Sequence, residues 1–101
     1  MLILPEPIAF IWGEGNAYKN YEKHKVTAEE AEEMFLAEPY IVEDVVHSTI
    51  LEYRFHALGT TRDGRKLFAS YTVRNGKIRV ISIRDMNKKE KQAYEKLEKN
   101  P

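Results

Sequence analysis

The run Lys77-Ile78-Arg79-Val80-Ile81-Ser82-Ile83-Arg84, continuing as Asp85-Met86-Asn87-Lys88-Lys89-Glu90, gathers the residue types that hold a phosphate. Arg84 stands where a strand would end. Asn87 and Glu90 have the spacing of a capping box, which starts a helix there with Lys88 and Lys89 in its first turn. Free N–H groups and the helix dipole favour an anion at such a start. Two lysines oppose that dipole unless an anion or an acidic partner lies between them. Glu52, Arg54 and His56 place an acid, a base and an imidazole along one side of another predicted strand, where cross-strand pairing is the plainer explanation. Lys23, His24 and Lys25 close a short helix, where positive charge also simply suits the dipole.

The elements that must carry these residues follow from periodicity. Ile8 to Trp12 reads as a short apolar strand, broken at Gly13-Glu14-Gly15, with Asn16 capping a helix to about His24. Thr27 opens a second helix with Glu30 as capping-box partner, and Val26 can staple against Ala31. Ala28, Ala31, Met34 and Phe35 form its buried side, and Pro39 stops it. Tyr40 to Val46 reads as a strand or an extended connection, and Glu43-Asp44 in its middle demotes it to an edge. Leu51 to Leu58 alternates, with Leu51, Tyr53, Phe55 and Ala57 on the core side. Gly59 and Asp63-Gly64 bound a hairpin loop, Leu67 to Val73 is the next strand, and Asn75-Gly76 is a tight hairpin turn.

Strand 77–84 has β-branched residues on both parities, which predicts a central strand buried on both faces. If it is unbroken, Arg79 and Arg84 lie on opposite faces, because their separation is odd. Arg84 is then the phosphate-contacting residue, and Arg79 serves structure or a partner surface. The last helix runs from Asn87 to about Lys99 with a thin apolar stripe of Ala93, Tyr94 and Leu97. The fold class is α+β, one domain over 1–101. It comprises an antiparallel β-meander, two N-terminal helices over one face and one C-terminal helix.

Composition limits the function classes. No apolar run approaches the ~18 residues of a membrane helix, and Leu2-Ile3-Leu4 lacks the features of a signal peptide. Without cysteine there is neither a disulfide framework nor a thiolate metal site. A cytoplasmic protein is expected. The net charge of zero conceals an asymmetry. Residues 1–53 hold three Lys/Arg against eleven Asp/Glu, a net −8, and residues 54–101 hold thirteen against five, a net +8. Such a split suggests either a basic surface for a polyanion or two faces that neutralise each other. Nucleotide-binding glycine patterns are absent and the three histidines sit at no metal-ligand spacing. A triad of Ser82, His56 and Asp85 can be written down, but nothing in the sequence positions it.

In order along the chain, Phe10-x-Trp12, Asn20-x-x-Lys23-His24 and Val26-Thr27-x-Glu29-Glu30-Ala31-x-x-Met34-Phe35 are followed by Arg54-Phe55, Gly59 and Thr72-x-Arg74. The block Ile78 to Arg84, then Lys88-Lys89-Glu90 and Tyr94, completes the set. This ordered set resembles the BrnT family of bacterial type II toxins, small ribonucleases related in fold to RelE. The family usually has Asp where this chain has Gly13, Lys-Asn where it has Asn16 and Ala17, Gly where it has Lys25, and an acid where it has Tyr53. The resemblance implies a RelE-like fold and metal-independent RNA cleavage by attack of the ribose 2′-hydroxyl on its own phosphate, inhibiting translation and growth. It also implies a small BrnA-like antitoxin partner and a homodimer, with no cofactor. Such chemistry needs a proton acceptor, a proton donor and cations for the phosphoryl oxygens. On this reading Arg54 and Arg84 clamp the phosphate, and Glu52, His24 or His56 moves protons, with Lys23 beside His24. Trp12 or Tyr94 stacks on a base, and Arg74, Arg79, Lys88 and Lys89 bind RNA. A member that has lost catalysis, acting as an RNA-binding or protein-interaction module, is the alternative.

Overall fold

The computed structural model describes residues 4–13 and 16–99. Along the chain come α1 (Asn16–His24), α2 (Ala28–Leu36), β1 (Tyr40–Glu43), β2 (Arg54–Thr60), β3 (Lys66–Arg74), β4 (Lys77–Asp85) and α3 (Lys88–Lys99). The strands form one antiparallel sheet in the order β1-β2-β3-β4, so the fold is α+β with a meander of four strands. The chain break expected at Glu14-Gly15 and the side-chain cap expected of Asn16 lie outside the described residues. No helix among the described residues is long and apolar enough to cross a membrane.

Local chemistry explains the boundaries. Thr27 Oγ1 accepts from the Glu30 N–H at 3.0 Å while Glu30 Oε1 accepts from the Thr27 N–H at 3.0 Å, so α2 begins on a complete capping box. Asn87 and Glu90 do the same for α3, at 2.9 and 2.8 Å. Asn75 and Gly76 both take positive φ, 51° and 72°, which a two-residue hairpin between β3 and β4 requires. Strand β2 starts three residues later than the alternation suggests. Thr49 and Glu52 close a turn on each other, with the Thr49 N–H donating to the Glu52 carbonyl at 2.8 Å and the Glu52 N–H to Thr49 Oγ1 at 3.0 Å. Leu51 is thereby thrown outward and is 97% exposed rather than in the core. Gly59 belongs to β2 instead of bounding its loop. Met34 lies over it so closely that an added Cβ would stand 2.7 Å from Met34 Cγ.

One face of the sheet meets α2. Phe55, Ala57, Leu67, Ala69, Tyr71, Ile78, Val80 and Ile83 pack there with Val26, Ala31, Met34 and Phe35. The rings of Phe35 and Tyr71 meet edge-on at 5.0 Å, and Phe10 meets Phe35 at 5.8 Å. Each large apolar side chain buried this way contributes about 1.5–3 kcal/mol. On the other face, Leu58 and Phe68 pack with Tyr40, Met86 and Tyr94, which seats α3 over one end of the sheet.

Strand β4 departs from expectation twice. It is the last strand of the sheet, not a central one, and its outer edge is bridged at Ile78 by the extended segment around Phe10. It also carries a bulge: Tyr71 pairs with Val80 and Ser70 with Ser82, which leaves Ile81 as an extra residue. The bulge resets the alternation, so Ile78, Val80 and Ile83 all face the core. Of the apolar residues on both parities, which suggested two buried faces, Ile78, Val80 and Ile83 line one face of a bulged edge strand and Ile81 is the extra residue. Arg79 and Arg84 consequently share a face, opposite Thr72 and Phe68. Deleting Ile81 would close the extra position while keeping Ile78, Val80 and Ile83 on the core side and Arg79 and Arg84 together, because Val80 and Ser82 then alternate directly. Urea denaturation of that deletion variant is therefore expected to show a loss well under the roughly 3 kcal/mol of an uncompensated buried charge. A larger loss would mean that Ile81 is not the extra residue.

Candidate functional site

The bulge assembles a polar surface on the face that α2 does not cover. Cross-strand register gives three rows: Leu58, Phe68 and Arg84; His56, Ser70 and Ser82; Arg54, Thr72 and Arg79. The α3 end closes this surface on one side, where Arg84 lies 4.5 Å over the Phe68 ring and His56 lies 4.9 Å from the same ring. Ser70 and Ser82 form a low floor between the two taller rows.

Carboxylates anchor most of the cations. Glu90 takes Arg84 with both oxygens, at 2.8 Å to Nη1 and 3.0 Å to Nη2, while its Oε1 also caps α3. The Glu90 carboxylate raises the Arg84 pKa. Burial pushes Glu90 up, but Arg84, the Asn87 N–H and the charge of nearby His56 hold its pKa below the ordinary glutamate range. Glu52 lies between Arg74, at 2.6 Å to Nη2, and Arg54, at 3.1 Å to Nε. The hydrogen bond from Arg74, with that from Arg54, overcomes partial burial and holds Glu52 ionised below its usual range. A carboxylate so stabilised is a weak base.

Asp44, just beyond β1, lies beside His56 on this face, and sequence reading passed over it as an edge marker. It is 6% exposed. Its Oδ1 accepts from the His47 N–H at 3.2 Å, which shapes the turn, and its Oδ2 faces two imidazoles. His47 Nδ1 lies at 2.8 Å and His56 Nε2 at 3.1 Å. Burial pushes the Asp44 carboxyl up, yet the His47 hydrogen bonds and the charges of both histidines hold it below the ordinary aspartate range. No group of three or more His, Asp or Glu among the described residues has the arrangement of a metal-ion site. The only sequence signal for Asp44 was an acid at a strand end one turn before a histidine.

Other expected residues lie elsewhere. Lys23 and His24 end α1, where Arg65 reaches the His24 carbonyl at 3.2 Å and the Lys25 carbonyl at 2.8 Å. Arg65 also binds Asp85 at 2.7 Å and Glu30 at 3.1 Å. Asp85 opposes Leu67 on the core-side parity, so Ser82, His56 and Asp85 form no triad. Trp12 is half-buried against the core, its Nε1 donating to Glu32 at 2.9 Å and its ring stacked on Phe10 at 6.5 Å. Tyr94 is buried, with its hydroxyl 2.6 Å from Thr60 Oγ1 and its ring edge-on to Tyr40. Lys88 and Lys89 are exposed at the start of α3. Arg79 has no carboxylate partner among the described residues. Its guanidinium lies against Gly13, where an added Cβ would stand 2.9 Å from Nη1.

A family model described as the ribonuclease toxin BrnT of type II toxin–antitoxin systems matches residues 12–90. The chain belongs to the BrnT family. The crystal structure of the Brucella abortus ribonuclease toxin BrnT superposes with a TM-score of 0.62 at 20% identity, covering 80% of this chain and 99% of that one. At that identity the likeness is one of fold. No curated protein sequence matches the chain.

The place where the BrnT resemblance led us to expect an aspartate, Gly13, is therefore the place that touches Arg79. Lacking a side chain, it leaves that cation without the carboxylate an aspartate would bring. The BrnT match also spans the Arg65 junction, which ties α1, α2 and the β3–β4 end together. Its arginine holds Asp85 below the ordinary aspartate range, and the Thr27 N–H, assisted by Arg65, does so for Glu30. Depressed carboxyl pKa values stabilise the fold above the unfolded-state values and cease to do so as pH falls through the folded ones. Stability should therefore decline as pH drops below about 4.5, the ordinary glutamate value. Thermal melts of Arg65→Met should show a lower Tm at neutral pH and a shallower acid decline. A decline as steep as that of the wild type would refute this assignment.

Proposed function

We propose that this BrnT-family chain is a metal-independent endoribonuclease toxin, inhibiting translation and growth in the cytoplasm until a small BrnA-like antitoxin binds it. The observation that carries the reading is the in-phase placing of Arg54, Arg79 and Arg84 around His56, Ser70 and Ser82 on one open sheet face. Arginine suits that task because its planar fork binds phosphate through two hydrogen bonds at once. The scissile phosphate lies over the serine floor, with Arg84 and Arg54 as its clamp and Arg79 adding charge from the β4 edge. Glu52 holds Arg54 and Arg74 in place. Lys88 and Lys89 lengthen the basic track along α3, and Arg74 extends it at the opposite end. Lys23 and His24, beyond the end of β4, are suited to a flanking phosphate. Trp12 and Tyr94 serve packing in the free protein, and either would need to move before stacking on a base.

Association is supported by the connection between β1 and β2, where Val45, Val46, Ile50 and Leu51 are 75–97% exposed. Apolar exposure of that extent fits a surface that an antitoxin or a second copy covers.

The test is inducible expression of wild type and Arg84→Ala, following growth and RNA integrity, with cleavage by purified protein measured in excess chelator. Wild type is expected to arrest growth and to cleave RNA despite the chelator. Removing one phosphate clamp costs roughly 3–4 kcal/mol in the transition state, about a hundredfold or more in rate. If Arg84→Ala arrests growth equally well, the clamp is misassigned. Harmless wild type that leaves RNA intact, yet retains a 2′-O-methyl oligonucleotide in a gel shift, would establish the binding module instead.

A further inference from the structure

We propose that His56 is the proton-accepting group of this site and Asp44 the residue that positions it. The inference rests on the ribonuclease reading above and adds which group takes the 2′-hydroxyl proton. Of the three residues suited by type, Glu52 is held ionised by two arginines, and His24 sits at the Arg65 junction away from the polar face. His56 is in that face, in line with Ser70 and Ser82, and close enough to the Phe68 ring to have its orientation fixed. Its side chain is 31% exposed, so water and substrate reach it.

Asp44 supplies the rest. An ionised carboxylate only accepts, so Asp44 Oδ2 at 3.1 Å from Nε2 favours the proton on that nitrogen. The lone pair is then on Nδ1, for which no protein partner is found among the described residues. This is the logic of an acid–imidazole pair, in which the carboxylate selects the tautomer and stabilises the imidazolium without taking its proton. In the step itself, Nδ1 takes the 2′-hydroxyl proton as the 2′-oxygen bonds to phosphorus. The bond from phosphorus to the 5′-oxygen breaks, and that oxygen takes a proton from water. A 2′,3′-cyclic phosphate and a 5′-hydroxyl result, and the imidazolium returns its proton to the hydroxide left behind. The charged and titratable groups around His56 are Asp44 and His47 from the turn after β1, Arg54 from its own strand, Arg84 from β4 and Glu90 from α3.

The experiment measures kcat and kcat/KM against pH for wild type, His56→Gln, Asp44→Asn and His47→Ala, cleaving a short RNA, with circular dichroism melts to confirm folding. General-base loss typically costs a hundredfold or more, so His56→Gln should lose that much kcat with its KM little changed. Asp44→Asn keeps the turn-forming oxygen but removes the charge that stabilises the imidazolium. Its side-chain amide N–H should instead favour the proton on Nδ1, a change in the ring 15N spectrum that loss of stability alone does not produce. His47→Ala, which leaves the Asp44 charge beside His56, should lose less rate than Asp44→Asn. Because His56→Gln could fail to fold, ring 15N spectra of the wild type provide a second reading: the proton should be on Nε2, and 2′-deoxy oligonucleotide should perturb Nδ1. Wild type that cleaves while folded His56→Gln cleaves equally overturns the inference alone, as does a proton found on Nδ1. Wild type that leaves RNA intact overturns the ribonuclease reading, and this inference with it.

Discussion

One extra residue in β4 decides which side chains meet on the open face of this protein. Without Ile81 as a bulge, strand alternation would give the core Ile78, Val80 and Arg84, and would present Ile83 beside Arg79. With it, three apolar residues fill the core and both arginines face outward together. A bulge also increases local twist and is tolerated best at a sheet edge, where one side of the strand has few ladder bonds to lose. Strand β4 is such an edge, met on its outer side at Ile78 by the segment around Phe10. Its edge position thus permits the bulge that puts the arginines in phase.

The opposed charges of the two halves of the chain are partly spent on each other. Glu30 with Arg65, and Glu52 with Arg54 and Arg74, join an acid from the first half to bases from the second. These pairs are partly exposed, so each adds little to stability. Their stronger effect is orientation, since a guanidinium held at one edge cannot rotate freely. Among the described residues, Arg79 and the lysines at the start of α3 have no carboxylate partner. The self-neutralising chain, one of the two alternatives in the sequence, therefore holds for part of the charge.

Much of the fold was legible because it depends on short-range chemistry. Both capping boxes, the Asn75-Gly76 turn and the buried side of α2 need only neighbouring residues to be recognised. Strand order and bulges do not, because they depend on which strand lies alongside. Ile81 looks like any other β-branched residue until Tyr71 and Ser70 are seen to pair across it. Leu51 misled for a related reason: its alternation is regular, but the Thr49–Glu52 turn takes the chain out of register before β2 begins. For the site, residue types pointed to Arg54 and Arg84. Asp44 stayed hidden because its partners are His56, across the sheet, and His47, in a turn whose geometry the sequence does not reveal.

The pairing of Arg84 with Glu90 leaves room for a phosphate, as the donor geometry shows. A guanidinium has five N–H donors arranged in two forks, one across the two Nη atoms and one across Nε and Nη2. Glu90 takes the first fork, and the Asp85 carbonyl accepts the remaining Nη1 proton at 3.1 Å. The second fork has no partner among the described residues. A phosphate can bind there without displacing Glu90 from Arg84 or from the α3 cap. The ring of Phe68 fixes the guanidinium plane from one side, and its weak hydration makes that stacking favourable. Glu90 and Phe68 together then act as supports for Arg84, and the α3 cap becomes part of the same construction as the proposed phosphate clamp.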